Sequence, residues 1–169
     1  MKYLTKDELG KMLMVAKGSN PTDHLMILLA FNHGLRVSEV LSLTAANFQD
    51  GYLIVQRLKG SARTSQRLLD NEAALLADYK IPACGLLFPI CRRTAWRRIK
   101  GYGVAAGIPG FKCKPHALKH SCAMAGLKGG MSLPELQAYL GHRSLGSTGM
   151  YLKIDDDTAS SAFATAIGV

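Results

Sequence analysis

GLRVSEVLSL, residues 34–43, is the stretch that decides the reading of this chain. Gly34 stops the helix before it. Arg36 then opens a short helix whose Val37, Val40, Leu41 and Leu43 face inward. A cation at a helix start gains nothing from the helix dipole, which favours Arg36 as a ligand-binding side chain over a local salt bridge to Glu39.

Upstream, LMILLAFN is apolar nearly all round and marks a buried central helix. Asn20 and Pro21 start it, as N-cap and first-turn proline. Before that, Thr5 and Glu8 form a capping box. The helix they open runs to about Lys17, with Leu9, Met12, Leu13 and Ala16 on one face and Gly18 as its stop. Downstream, GYLIVQRL (51–58) is β-rich and alternates, KGSA is a turn, and RTSQRLL pairs back as a second strand. Lys59 then sits at the hairpin tip.

Asp70 caps a helix to about Tyr79, and Pro82 ends that region. A basic helix covers Arg92 to Ala106, with Trp96 and Ile99 as its apolar contacts, so Trp96 reads as core rather than as a base-stacking platform. Residues 107–114 are loop. His116 begins a helix that ends at Gly129 and Gly130. Ser132 and Glu135 form a second capping box, and Gly141 closes that short helix. Tyr151 lies on or beside a further helical turn, and DDDTASSAFATAIGV begins with acids suited to a helix N-terminus. The expected fold is one mainly α domain with a small antiparallel β-sheet, an α+β class.

The 169 residues are 48% hydrophobic and 7% aromatic, so Leu, Ala, Met and Val must fill a real core, and disorder is excluded. No apolar run reaches the ~18 residues that span a bilayer. MKYLTKDELG has no signal-peptide core, and a cytoplasmic protein is expected by default. The four cysteines (Cys84, Cys91, Cys113 and Cys122) make no CxxC pair, and no histidine stands at zinc-finger spacing. Reduced, partly buried thiols are expected, with neither metal nor cofactor.

The net charge of +9 is unevenly placed. No acid lies between Asp78 and Glu135. That window holds ten cations: Lys80, Arg92, Arg93, Arg97, Arg98, Lys100, Lys112, Lys114, Lys119 and Lys128. The rest of the chain has 11 basic against 12 acidic residues. A basic block on a near-neutral scaffold is the footprint of a polyanion binder, and a merely solvated surface is the plainer alternative. Nucleic acid is favoured, because the acid-free window also contains His116 and Lys119.

Three further stretches complete the picture: HALKHSCA (116–123), LGHRS (140–144) and STGMY (147–151). Arg36, Lys59, His116, Lys119, His142 and Tyr151 together offer a nucleophile, several cations and two imidazoles. That mixture suits metal-free attack on a phosphodiester. In this order the residues resemble the catalytic domain of the tyrosine recombinase family, the phage-integrase type, over nearly the whole chain. GLRVSEVLSL is similar to the first-arginine box G-x-R-x-S-E-x-x-x-L. Lys59 and Gly60 match the lysine on a β-hairpin turn, and HALKH resembles H-x-L-R-H. LGH matches the next box, and Thr148 to Tyr151 match T-x-x-Y. Any one box is weak; five in order are strong.

The resemblance implies that Tyr151 attacks a DNA phosphate, joins the 3′ end and frees a 5′-hydroxyl, with no ATP needed. A free tyrosine has a pKa of ~10, so cations must favour its ionised form. Arg36 is expected to bind non-bridging oxygens, with Glu39 supporting it. Lys59 is placed to protonate the leaving 5′-oxygen. His116 would help move the tyrosine proton, and His142 would donate to a phosphate oxygen. His116 and Lys119 at i and i+3 share a helical face. His120 belongs to the same pattern, bracing it at least. His24 and His33 read as structural. Arg92, Arg93, Arg97, Arg98, Lys100, Lys112 and Lys114 read as DNA-binding, giving affinity and salt sensitivity rather than sequence choice.

Two departures from the family stand out. Lys119 replaces the usual second arginine, a planar fork that holds two phosphate oxygens. Losing one charge-assisted hydrogen bond of ~1.5–3 kcal/mol would slow a dependent step roughly ten- to hundredfold. Arg143 is the residue placed to compensate. The family's N-terminal DNA-clamping domain is not expected in this chain, so residues 1–169 read as a single catalytic domain, either an isolated fragment or a naturally short member.

The function implied is site-specific recombination or integration on double-stranded DNA. The family assembles a homo-tetramer on two duplexes, and a monomer in isolation and accessory DNA-bending proteins fit the same picture. No membrane partner is expected. The apolar AFATAIGV run fits packing on a neighbouring protomer, with folding back in cis as the alternative. Two rivals remain: a type IB topoisomerase, disfavoured by the short chain and the R-x-S-E box, and a catalytically weakened DNA-binding protein, kept alive by Lys119.

Overall fold

The computed structural model describes residues 3–58 and 62–142. Helix α1 (Lys6–Ser19) leads to α2 (Pro21–Asn32) and the short α3 (Val37–Leu41). Strands β1 (Phe48–Gln49), β2 (Tyr52–Val55) and β3 (Thr64–Arg67) follow, then α4 (Asp70–Tyr79), α5 (Arg92–Ala105), α6 (Pro115–Lys128) and α7 (Leu133–Leu140).

Two capping boxes act as expected, but Asp70 does not cap its helix: it is the first residue of α4, Leu69 holds the N-cap position, and the Glu72 carboxylate accepts from the Leu69 amide at 2.8 Å. The Thr5 hydroxyl accepts from the Glu8 amide at 3.2 Å, and the Glu8 carboxylate accepts from the Thr5 amide at 2.8 Å. Ser132 and Glu135 repeat the pair at α7. Gly18 does not stop α1, which continues to Ser19. An isolated glycine weakens a helix by only about 1 kcal/mol, less than the burial of Leu9, Met12 and Ala16 along α1 supplies. The turn comes instead at Asn20, extended at φ −156°, which ends α1 and caps α2 through Thr22 at 2.9 Å.

Helix α2 is the centre, with Leu25, Met26, Ile27, Leu28, Leu29 and Ala30 all buried. Helices α1, α3, α4 and α6 pack around it. Cys122 and Ala123 of α6 join Leu136 and Leu140 of α7 in a second, smaller apolar cluster. All four cysteines are free, with Cys113 and Cys122 buried.

The sheet is antiparallel in the order β1-β2-β3, one strand more than the expected hairpin. Asp50 and Gly51, at φ 49° and 78°, turn the chain between β1 and β2. The β2–β3 register sets Leu53 against Gln66 and Val55 against Thr64, all four buried. α7 packs against β3.

Trp96 overturns its expected place in the core, being 42% exposed. Helix α5 buries Ala95, Ile99 and Gly103, a stripe at four-residue spacing that leaves position 96 outside. The Lys100 ammonium lies over the Trp96 ring, 5.1 Å from its centroid.

Candidate active site

The site is built on Glu39, an acid only 1% exposed. It sits three residues into α3, within reach of the amide that opens the helix. Its carboxylate accepts from the Arg36 amide at 2.7 Å, the Arg36 guanidinium at 2.8 Å and the Leu58 amide at 3.0 Å. Burial raises its pKa. The Arg36 and Leu58 amides, the Lys119 ammonium and the Arg36 guanidinium more than offset this, so the carboxyl is held below its ordinary 4.5. Glu39 is therefore an ionised support for Arg36.

Arg36 is half-buried and also donates from Nη1 to the Leu58 carbonyl at 3.2 Å. No hydrogen bond among the described residues uses its Nε or Nη2. That edge of the guanidinium is free to grip two oxygens of one anion.

Lys119 is 9% exposed, with Nζ donating to the Gly34 carbonyl at 3.0 Å. Burial, then the nearby Arg57 charge, push its pKa down to about 8, against the pull of Glu39. Gly34 lets α6 and α7 pack closely on this turn. It has φ +56°, and a Cβ there would collide with Leu140 and stand 3.3 Å from the Cys122 sulfur.

His142 follows the α7 cap, where Gly141 has φ +68°. Its amide donates to the Gln137 carbonyl at 3.0 Å, and the Gln137 side chain returns a bond to the His142 carbonyl at 3.0 Å. Burial, then the charges of Lys119, Arg36 and Arg57, push the imidazole down to about 4. It is neutral at physiological pH and carries a single ring N–H. Arg36, Lys119 and His142, from three distant stretches, thus share one electrostatic environment.

The other expected residues fall differently. His116 is exposed at the second position of α6, one turn before buried Lys119 on the same helix. His120 packs its ring against Tyr3, centroids 5.5 Å apart. His24 bonds the Leu13 carbonyl at 2.9 Å, and His33 is buried between Gln66 and Glu72, which suits their structural reading. Lys59, Arg143 and Tyr151 lie outside the described residues. On the basic face, Arg92, Arg93, Arg97, Lys100 and Lys114 are exposed. Two of the expected DNA-binding cations have internal partners: Arg98 pairs with Asp23 at 2.9 Å and Lys112 with Glu8 at 2.7 Å. Among the described residues no cluster could hold a metal ion, and no helix is long and apolar enough to cross a membrane.

Arg57 is the residue that reading the sequence missed. It is 3% exposed and touches Glu39, the Gly34 carbonyl and the α7 end. A signal was present: Leu53, Val55 and Arg57 share one parity in GYLIVQRL, so the strand alternation points a guanidinium into the core.

The phage integrase family model matches residues 2–158, and the chain belongs to that family. It is 34% identical over 170 residues to the tyrosine recombinase XerA of Pyrococcus furiosus, spanning 90% of this chain and 57% of that protein. The tyrosine recombinase XerD of Xanthomonas campestris is 33% identical over 175 residues, spanning 89% of this chain and 54% of the relative. The chain thus covers a little over half the length of these curated relatives. Solved structures agree on the fold. XerH site-specific recombinase bound to difH substrate superposes with a TM-score of 0.80 at 21% identity, over 97% of this chain and 54% of that one. The catalytic domain of bacteriophage HP1 integrase gives 0.73 at 19%, over 96% and 94%.

Proposed function

We propose that this chain is the catalytic part of a site-specific DNA recombinase that cuts and rejoins double-stranded DNA through a 3′-phosphotyrosyl bond. The observation that carries this reading is that Arg36, Lys119 and His142, from three distant stretches, come within electrostatic reach of one another and of Glu39. Two cations and a neutral imidazole gathered in this way suit an anion that gains charge during reaction. Tyr151 supplies the nucleophile. Its oxygen forms a bond to phosphorus, the bond to the 5′-oxygen breaks, and Lys59 gives that oxygen its proton. The tyrosine proton leaves through His116. Attack by another 5′-hydroxyl reverses the step on a new partner.

Arg92, Arg93, Arg97 and Lys100 on one helix, with Lys114 nearby, would hold the phosphate backbone. Assembly as a tetramer on two duplexes and a DNA-associated, cytoplasmic setting belong to the same proposal, as does the reading of the whole sequence as one catalytic domain. A second reading, a binder whose chemistry has weakened, is favoured by one observation: Lys119 spends a donor on the Gly34 carbonyl where the family's arginine would offer a fork.

The test is covalent capture. Nicked duplexes carrying attachment sequences from the gene's neighbourhood are mixed with the protein and denatured in detergent. A DNA-linked band in wild type, lost in Tyr151→Phe, is the expected result. Salt-sensitive binding without a band, on every duplex and in Lys119→Arg as well, supports the binder instead.

A further inference from the structure

Arg57 offers five N–H donors, and the fold consumes all of them. Nε donates to the Thr64 hydroxyl at 2.9 Å. Nη1 reaches the Gly34 carbonyl at 3.1 Å and Glu39 at 3.4 Å. Nη2 reaches the His33 carbonyl at 2.8 Å and the Tyr139 carbonyl at 3.3 Å. No donor remains for a phosphate, so Arg57 is not a further ligand.

Its acceptors show what it does. His33 and Gly34 form the turn that leads into Arg36. Glu39 holds the Arg36 guanidinium. Thr64 stands on the far arm of the hairpin that carries Lys59, while Arg57 itself stands on the near arm. Tyr139 lies three residues before His142. The same junction is closed from the other side: the Ala62 amide donates to the Gly141 carbonyl at 2.9 Å, and a Cβ on Gly141 would come within 3.0 Å of the Arg57 Cγ. One side chain therefore ties together the three segments that bear the first arginine, the hairpin lysine and the second imidazole.

We propose that Arg57 is a positioning residue that locks the Arg36 turn, both arms of the Lys59 hairpin and the α7 end carrying His142 into one geometry. The inference rests on the recombinase reading above for its consequence, but not for its structural content. A cation that is merely structural would lower stability and leave per-molecule chemistry intact. A positioning cation sets where the phosphate ligands meet, and displacing one of them by an ångström costs about a hundredfold in rate.

Three variants of the full chain test this. Arg57→Met keeps the volume and removes every donor. Arg57→Lys keeps the charge but has only three donors and no fork. Thr64→Val removes one acceptor and leaves the arginine in place, so it is informative even if the first two fold poorly. Single-turnover cleavage of a nicked duplex, DNA affinity, thermal melting and amide hydrogen exchange are measured for each. Positioning is supported when folded Arg57→Lys loses cleavage by roughly ten- to hundredfold with affinity within about twofold of wild type, Thr64→Val falls between them, and exchange quickens at the Leu58 and Ala62 amides while α2 is unchanged. It is overturned when cleavage per folded molecule is unaltered, or when affinity and cleavage fall while exchange quickens throughout α2 as well. If wild type makes no Tyr151-linked product, the recombinase reading fails. Exchange at Leu58 and Ala62 in Arg57→Lys and Thr64→Val then decides the positioning claim alone.

Discussion

Two buried regions lie on either side of the α2 C-terminus and hold together by opposite means. Along α2, Leu25 to Leu29 are buried by contacts that have no preferred direction. Beyond Asn32, His33, Glu39, Arg57, Gln66, Glu72 and Lys119 are equally buried but polar or charged. There every group depends on a partner at a defined angle, and among the described residues no buried side-chain nitrogen or oxygen lacks one. The apolar region supplies stability and tolerates substitutions that conserve volume. The polar region supplies geometry, and it has no neutral substitution, because removing one member strands another.

The largest test of this contrast sets Glu39→Ala beside Leu29→Ala. Stranding the Arg57 charge costs about 3–5 kcal/mol, which lowers melting by roughly 6–20 °C. The leucine truncation costs a similar ~2–5 kcal/mol. The expected difference lies in function: at a temperature where both are folded, Leu29→Ala cleaves like wild type and Glu39→Ala does not. Equal cleavage by the two would break the comparison.

A smaller effect comes from Lys119. With its pKa pushed down from 10.5 to about 8, it is charged below neutrality and loses its proton as pH rises through 8. Cleavage should therefore fall above that pH, by up to roughly the ten- to hundredfold of one charged contact. Stability runs the other way. The unfolded lysine still binds a proton between pH 8 and 10.5, so this group's contribution to folding improves across that window. Loss of rate without loss of melting temperature is the expected signature, and Lys119→Arg should flatten the profile. A wild-type rate that is level from pH 7 to 9.5 would remove Lys119 from the chemistry.

The smallest effect should be Trp96→Ala. Its ring is largely outside the core, so melting should stay within about 0.5 kcal/mol of wild type. DNA affinity should weaken severalfold, because the ring lies among Arg93, Arg97 and Lys100. A melting loss of several kcal/mol would return Trp96 to the apolar region.

Much of the fold was legible because the signals are local. Thr5 with Glu8, Asn20 with Pro21 and Ser132 with Glu135 act across three residues or fewer, and each sits at a helix start in the structure. The apolar run of α2 needs no partner to be recognised. Misreadings arose where a local cue competed with packing. Gly18 looked like a stop but is carried by the helix around it. Trp96 looked like core by its hydrophobicity, yet the Ala95, Ile99 and Gly103 stripe decides which side is buried. The Asp50–Gly51 turn was passed over because the strand before it has only two residues.

The candidate site divides in the same way. Arg36, Lys119 and His142 could be named from their boxes, as could Lys59 and Tyr151, which lie outside the described residues. Arg57 belongs to no box, and its shared parity with Leu53 and Val55 was the only hint. By itself the sequence determined the helices, the Thr5, Asn20 and Ser132 caps, the basic window and the family, because those follow from neighbours a few residues apart or from the order of motifs. The tertiary structure alone decided that Lys119 titrates near pH 8, that His142 is neutral and that Arg57 has no donor to spare. Those properties depend on the Gly34 carbonyl, 85 residues from Lys119, and on the Tyr139 carbonyl, 82 residues from Arg57. A dielectric environment and a hydrogen-bond angle do not exist until the chain has brought such groups together.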